Sequence, residues 1–271
     1  MALKNLFDNY KEFEEIIKHE SNGTIDLKDV ELNPATVLPL LCECKNNNLK
    51  IFNGENAFQY LGNILNNDVF FSKLPKSRVE SDETDFLTNF VENLDSEYGS
   101  YFVLRHTISE LANNVYDHSK IEINGGQSYI FAKLYEDYKK LDLCVIDDGL
   151  SIPRLFEESS VSFDNDCKAL EMAIGVFSTV SNNDYEMGNG LRTIVRLIAE
   201  GNGGEILIVS RNAGLHICGE NYRYYSFDDE YGFDGTLVSI RLNKFEVQNI
   251  YELLEPQKLN NYKYDGATYD Y

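Results

Sequence analysis

The stretch I-S-E-L-A-N-N-V-Y-D-H-S at residues 108–119 decides the fold around it, because its apolar and polar residues fall on two sides of one helix. The apolar residues recur at helical spacing and predict a stripe that faces the core: Leu104, Ile108, Leu111, Ala112 and Val115. On the other side, Glu110, Asn114 and Asp117 form a column of two carboxylates and an amide. Such a column is either an ordinary solvated face or one wall of a site that handles a metal ion and a water.

Composition excludes several classes of function. The chain has 271 residues, of which 43% are hydrophobic, and this is enough apolar material for a folded protein of two domains. Its net charge is −21, from 24 basic and 45 acidic residues, which would repel a phosphate backbone. We therefore expect no direct binding of nucleic acid.

The cysteine count and the hydropathy pattern indicate the compartment. Five cysteines are an odd number, and most lie in apolar runs, which is typical of a reducing cytosol. Charges interrupt the N-terminal stretch, and no run of 18 apolar residues occurs. We expect a soluble, cytoplasmic protein that does not contact a membrane.

Residues 1–75 are predicted to form a small α/β domain. Their order is helix, strand, helix, strand and helix, which favours parallel strands joined by a crossover helix. This order resembles half of a STAS domain, the fold of anti-sigma-factor antagonists. The alternative is an N-terminal extension packed on the second domain. Polar residues and a proline predict a linker at 76–84.

Residues 85–245 are predicted to form the second domain. Two helices are followed by strands near 127–135 and 141–146, and a helix at 190–199 precedes four more strands. Helices grouped with a mostly antiparallel run of strands predict a two-layer α/β sandwich with one face of the sheet covered. Residues 246–271 are predicted to be a helix and a frayed tail.

Two further motifs carry candidate chemistry. The sequence D-D-G-L-S-I-P at 147–153 places Asp147 at a strand end and Gly149 in a tight turn, where a carboxylate can accept a hydrogen bond from an exocyclic amine such as adenine N6. The sequence M-G-N-G-L-R begins at 187 and opens an amphipathic helix, whose free N–H groups favour an anion. Taken singly, the first is an ordinary turn and the second lacks the dinucleotide-binding pattern.

In order along the chain, E-L-A-N-N, D-D-G-L-S-I-P, G-N-G-L and the Gly-Thr pair at 235–236 resemble the N, G1, G2 and final Gly-Thr boxes of the GHKL ATPase superfamily. The resemblance covers about residues 85–243. It implies the Bergerat ATP-binding fold for this region, with ATP and Mg²⁺ as cofactors. The histidine-kinase and anti-sigma-factor ATPase domains are the members that it resembles most.

The resemblance also implies residue roles. Asn114 would be the protein ligand of magnesium, and Glu110 would be the catalytic residue that polarises a water or an acceptor hydroxyl. The residues implied in nucleotide binding are Asn114, Asp147, Gly149, Gly188, Gly190, Leu191 and Thr236.

The chain departs from the family pattern at two places. Ser151 stands where the family has a second glycine, which restricts the turn beside the base pocket. Residues 156–187 are predicted to be a lid over the nucleotide, and the nearest cations for phosphate are Lys168 and Arg192.

Two functions remain after the other members of the superfamily are compared. The chain has no long helical hairpin with a phospho-accepting histidine and no transducer domain after residue 243, so sensor-kinase and gyrase-like functions are disfavoured. The first hypothesis is a regulatory ATPase or serine/threonine kinase that resembles anti-sigma factors and acts on an unidentified protein partner. The second is a non-catalytic interaction protein switched by ATP or ADP, and a component of a bacterial defence or toxin-regulating operon is a third. A homodimer is a further expected state.

Overall fold

The computed structural model describes most of the chain. The described residues are 2–20, 22–27, 33–52, 65–66, 69–74, 90–92, 94–124, 126–175, 189–227, 232–254 and 268–270. They form a mixed α/β structure in which helices pack on a sheet, so the predicted fold class is confirmed.

Helices are spread along the described part of the chain, between the strands. They are α1 (Leu6–Lys18), α2 (Pro34–Asn46), α3 (Tyr101–His118), α4 (Ile121–Asn124), α5 (Ile152–Glu158), α6 (Asp166–Ala173), α7 (Asn189–Val195) and α8 (Ile250–Leu254). A π-helical segment, Arg196–Asn202, continues α7 directly. Side chains cap the first two: Asn5 accepts from the Asp8 N–H, and Asn33 accepts from the Thr36 N–H.

The strands form two sheets within the described residues. They are β1 (Thr24–Asp26), β2 (Lys50–Phe52), β3 (Leu65–Asn66), β4 (Val69–Lys73), β5 (Ser128–Tyr135), β6 (Lys140–Asp147), β7 (Glu205–Arg211), β8 (Ala213–Cys218), β9 (Asn221–Ser226), β10 (Phe233–Asn243) and β11 (Thr268–Asp270). The large sheet has the order β11-β9-β8-β7-β10-β6-β5-β4-β3, and all its pairs are antiparallel except β11 with β9. A mostly antiparallel sheet was predicted.

Helix α3 packs on the large sheet through the predicted stripe. Its five apolar residues are all buried, and they share a core with Leu143 and Val145 of β6. Each fully buried aliphatic side chain of this size stabilises the fold by about 1.5–3 kcal/mol. Ser100 caps the start of the helix by accepting from the Val103 N–H. This packing fixes which side of α3 is left for the polar residues.

Both faces of the large sheet are covered. Alternate residues of β6 face α3 on one side and the N-terminal helices on the other, where Cys144 and Ile146 share a core with α1 and α2. The expectation that only one face is covered was therefore wrong. The prediction gave residues 1–75 a domain of their own, whereas the apolar faces of α1 and α2 pack on this sheet.

The N-terminal region contains the predicted parallel strand pair. Strand β1 pairs with β2 in parallel, with Ile25 opposite Ile51, and α2 is the crossover between them. The described helices of this region pack on β5, β6, β7 and β10 of the large sheet. The predicted helix at 55–65 and the linker at 76–84 lie outside the described residues, apart from Leu65, which belongs to β3.

Several elements were not predicted: α4, α5 and α6 among the helices, and β3, β4 and β11 among the strands. Helix α6 lies in the segment expected to be a lid and is built into the core through Ala169 and Leu170, and α5 ends just inside that segment. Strand β11 adds to the edge of the sheet at residues 268–270, where a frayed end was expected. A strand of three residues is too short for its hydrophobic pattern to be recognised.

No helix in the described part of the chain is both long enough and apolar enough to cross a bilayer.

Candidate functional site

A cavity lies between α3, the carboxyl end of β6, helices α5 to α7 and strand β10. Its volume is about 110 Å³, less than the roughly 150 Å³ of an apolar cavity that encloses a benzene ring, so a larger ligand would lie only partly inside it. The polar part of the lining is Asn114, His118, Ser119, Asp147, Gly190 and Thr236. The apolar part is Leu111, Val115, Val145, Leu150, Ile152, Leu155, Phe156, Met172, Ala173, Leu191 and Val238. A mostly apolar cavity with a few converging polar groups is typical of a ligand site.

Asp147 is the one carboxylic acid among the described residues that line the cavity. It is 5% exposed, and within the described residues no cation pairs with it. The N–H of Gly149 donates to Asp147 Oδ1 at 3.0 Å. Burial raises the pKa of this carboxyl to about 8, and the neighbouring Asp148 adds to the shift. A buried acid with this environment in a cavity is a candidate for contact with a ligand.

Thr236 is held beside Asp147 by the sheet. The two residues are directly opposite each other in the antiparallel pairing of β10 with β6. The Thr236 hydroxyl lies 3.0 Å from Ser210 Oγ, which donates to the carbonyl of Gly235 at 2.7 Å. Ser210 Oγ also accepts from the Ile152 N–H at 2.9 Å. These contacts fix the part of the cavity wall where the motif at 147–153 meets the Gly-Thr pair at 235–236.

Asn114 and Glu110 face the first turn of α7. A Cβ atom at Gly190 would lie 2.5 Å from Glu110 Oε2 and 3.8 Å from Asn114 Oδ1, so a side chain here would displace the Glu110 carboxylate. Asn114 Nδ2 is buried and has no hydrogen-bond partner within the described residues. A buried amide group without a partner costs about 1–3 kcal/mol, and a ligand in the cavity would remove that penalty.

Gly149 acts through backbone packing and is absent from the cavity lining. A side chain at this position would overlap the carbonyl oxygen of Ser119, which follows α3. The Leu150 N–H donates to that same carbonyl at 2.8 Å. The glycine therefore fastens the turn after β6 to the end of α3, and this contact positions Asp147 relative to Asn114.

Ser151 does not strain the turn. Its backbone is extended, with φ −69° and ψ 156°, a conformation that any residue adopts. Its hydroxyl caps α5 by accepting from the Arg154 N–H. The expectation that losing a glycine here restricts the turn was wrong, because the position requires no glycine conformation.

The structure brings the candidate residues together to different degrees. Asn114, Asp147, Gly190, Leu191 and Thr236 line the cavity, and Glu110 lies against Gly190 at its edge. Gly188 lies outside the described residues, as do residues 176–187 of the predicted lid. Asp117 is exposed and is not part of the lining.

At the end of α3, His118 lines the cavity and Asp117 does not, and burial lowers the pKa of His118. Other lining residues had no signal in the sequence. Leu155, Phe156 and Met172 come from the two unpredicted helices, α5 and α6. Only the position of those helices above β6 brings them to the cavity.

Lys168 and Arg192, the two cations expected to lie near the phosphates, have different surroundings. Lys168 Nζ lies 2.8 Å from Glu171, so its charge is balanced by a buried carboxylate. Arg192 packs against Gly175, at the end of α6, and forms no ion pair to another described residue. Arg192 is therefore the better placed of the two to meet an anion beside α7.

No group of three or more His, Cys, Asp or Glu side chains in the described ranges is arranged to hold a metal ion. A divalent ion at Asn114 would therefore need most of its oxygen ligands from a bound phosphate and from water, which Mg²⁺ accepts.

Comparison of the chain with protein-family models and with curated proteins gives no match.

Proposed function

We propose that this protein binds Mg-ATP and is a regulatory ATPase or serine/threonine kinase of the GHKL superfamily, acting on a protein partner in the cytoplasm. The observation that carries the proposal is the position of Asp147. It is a buried carboxyl without a cation, in one cavity with Asn114, Gly190 and Thr236.

Adenine fits the base end of the cavity better than guanine. The exocyclic amine of adenine donates a hydrogen bond that Asp147 can accept, and the flat ring would lie between apolar side chains such as Leu150 and Met172. Guanine presents O6 at that position, so two acceptors stand face to face when Asp147 is ionised. A hydrogen bond to a charged group contributes about 1.5–3 kcal/mol, which is enough to set the preference.

The phosphate end would lie between α3 and α7. Asn114 would hold the magnesium ion through its amide oxygen, its buried Nδ2, which has no partner among the described residues, would be left to donate to a ligand atom, and Gly190 would allow close approach of a phosphate to the backbone. Bound Mg-ATP would supply an electrophilic γ-phosphorus, and its phosphates and water would supply most of the oxygen ligands of the metal.

Glu110 is the group that favours catalysis over binding alone. Its carboxylate lies beside Gly190, within the described contacts of the site, and can take a proton from a water or from a hydroxyl of the partner. A water as acceptor gives an ATPase, and a serine or threonine hydroxyl gives a kinase.

Calorimetric titration with Mg-ATP and Mg-GTP tests the proposal. We expect ATP to bind at least about tenfold more tightly than GTP, from the energy of one charged hydrogen bond. Asp117→Asn is the control. It removes an exposed acid near the end of α3, outside the cavity lining, and should leave both affinities unchanged. Equal affinity for the two nucleotides would contradict adenine recognition.

Steady-state ADP release then distinguishes the two functional classes. Turnover in the presence of partner supports the enzyme. ATP preference with no turnover under any condition would instead support the non-catalytic protein, in which the nucleotide changes a partner surface.

A further inference from the structure

His106 lies one helical turn before Glu110 on α3, outside the cavity lining. Its ring stacks on the half-exposed ring of Phe102, with centroids 5.9 Å apart and planes inclined by 3°. Its Nε2 atom lies 3.2 Å from the hydroxyl of Thr193 on α7. This contact joins the two helices that carry the phosphate end of the site.

The hydrogen-bond roles follow from the number of protons. A threonine hydroxyl has one proton, and Thr193 Oγ1 donates it to the carbonyl of Gly190 at 2.8 Å. The hydroxyl must therefore accept from His106, so Nε2 carries a proton. Burial lowers the pKa of His106, so at neutral pH the ring is a neutral donor that does not neutralise Glu110.

The chain of contacts ends at the candidate site. His106 holds Thr193, Thr193 holds the Gly190 carbonyl, and Gly190 is the residue against which Glu110 lies. His106 and Glu110 are four residues apart and share one side of α3. The distance between Glu110 and the first turn of α7 therefore depends on the hydrogen bond from His106.

We infer that His106 is a positioning residue, which through Thr193 holds the first turn of α7 beside Glu110 so that the triphosphate end of the nucleotide is bound in register. This inference rests on the proposed ATP binding. It makes a prediction that general structural damage does not, because the base end of the cavity is fixed by Asp147 and Thr236 on the sheet. Loss of the hydrogen bond should weaken ATP and leave adenosine unaffected.

The test compares ATP and adenosine affinities in four variants. His106→Leu and Thr193→Val should each weaken Mg-ATP by about tenfold, near the upper end of the value of one neutral hydrogen bond. His106→Gln keeps an N–H donor and should restore most of the ATP affinity. The double variant His106→Leu/Thr193→Val should bind ATP no more weakly than either single variant, because all three lack the same bond.

A second readout does not need the nucleotide. Nitrogen-15 spectra of the imidazoles, with His106 assigned from the His106→Gln spectrum, should show the neutral ring protonated on Nε2. The Nδ1–H tautomer, or unchanged ATP affinity in His106→Leu, would overturn the inference. Equal loss of ATP and adenosine would also overturn it, by showing a general structural role. A wild-type protein that binds neither ligand would instead overturn the proposed function itself, and the role of His106 with it.

Discussion

Strand β6 carries two buried carboxylates, Asp142 and Asp147, and their surroundings differ completely. Asp142 accepts two hydrogen bonds from Arg241, at 2.6 Å from Nε and 2.7 Å from Nη2. Asp147 accepts only from the N–H of Gly149 and has no cation among the described residues. Because the two differ by five positions, they lie on opposite faces of the sheet.

The paired carboxylate belongs to the fold. Arg241 also donates to the carbonyl of Lys4 at 2.6 Å, and Glu205 accepts from the Leu6 N–H at 3.2 Å. The pair thus fastens the start of α1 to the sheet. Burial raises the pKa of Asp142, while the hydrogen bonds from Arg241 act in the opposite direction.

The unpaired carboxylate belongs to the cavity. A buried ionised carboxylate without a partner is strongly unfavourable. Burial therefore raises the pKa of Asp147 to about 8, and the group is mostly protonated below that pH. Natural proteins keep such a group mainly where a ligand uses it. The difference between the two acids therefore separates a structural residue from a candidate recognition residue.

Breaking the structural pair should have the largest effect on stability. Arg241→Leu leaves Asp142 buried without a cation and should lower the free energy of unfolding by about 3–5 kcal/mol. Nucleotide affinity of the folded fraction should not change, because the pair lies on the far face of the sheet. Urea denaturation measures the free energy of unfolding, and calorimetry measures the nucleotide affinity. Arg223→Leu, at an exposed position of β9, is the control and should change stability by no more than about 0.5 kcal/mol.

Glu110→Gln extends the comparison from recognition to chemistry. A positioned general base accelerates a reaction by about 10²–10⁴-fold, so ADP release or phosphotransfer should fall by that factor. Nucleotide affinity should stay close to that of the wild type, because the amide keeps the shape of the side chain. Asn114→Ala, in contrast, should lose both the magnesium-dependent affinity and turnover. Undiminished turnover in Glu110→Gln would remove this residue from the mechanism.

The unpaired acid should make stability depend on pH in the absence of nucleotide. The folded pKa of Asp147 is about 8, above the unfolded value of about 3.9, so between these values the native state binds a proton that the unfolded state does not. The contribution of Asp147 is therefore full below pH 4 and is lost as pH rises towards 8, by about 1.4 kcal/mol for each pH unit. Denaturation of wild type and Asp147→Asn at several pH values isolates this contribution as the difference between them. A difference that does not vary with pH would mean that Asp147 is already ionised.

The protonation of Asp147 should also make nucleotide affinity depend on pH. If the amine of adenine is bound by the ionised carboxylate, affinity is reduced by the fraction of Asp147 that is protonated. With a pKa of about 8, Mg-ADP should bind about tenfold more tightly at pH 9 than at pH 7. Asp147→Asn removes this dependence and leaves only the titration of the nucleotide, which makes it the matched control. Identical pH profiles for the two proteins would exclude Asp147 from the binding step.

Local patterns predicted the parts of the site that depend on local sequence. The stripe from Leu104 to Val115 has a helical period, so the burial of α3 and the side left for Glu110 and Asn114 could be predicted. Asp147 could be placed at a strand end because the pattern at 141–146 predicts a strand. Its burial without a cation could not, because it depends on β10 bringing Thr236 opposite it from a distant part of the chain.

Non-local packing accounts for what the sequence did not reveal. The contact between Arg241 and the carbonyl of Lys4 joins residues that lie far apart in the sequence, and no periodic pattern indicates that α1 covers the sheet. Ser151 was compared with a glycine of the family pattern, whereas its role as the cap of α5 depends on backbone angles. In both cases the residue type was visible, but the geometry that gives it a role was not.

The central claim is that Asp147 recognises the amine of adenine, and a two-by-two set of affinities tests it most directly. Wild type and Asp147→Asn are each titrated with Mg-ATP and with the magnesium complex of purine riboside triphosphate, which lacks the N6 amine. We predict that the substitution weakens ATP by about ten- to a hundredfold, as expected for one charged hydrogen bond, and leaves the affinity for the purine analogue unchanged. Equal weakening of both ligands, or of neither, would contradict the claim.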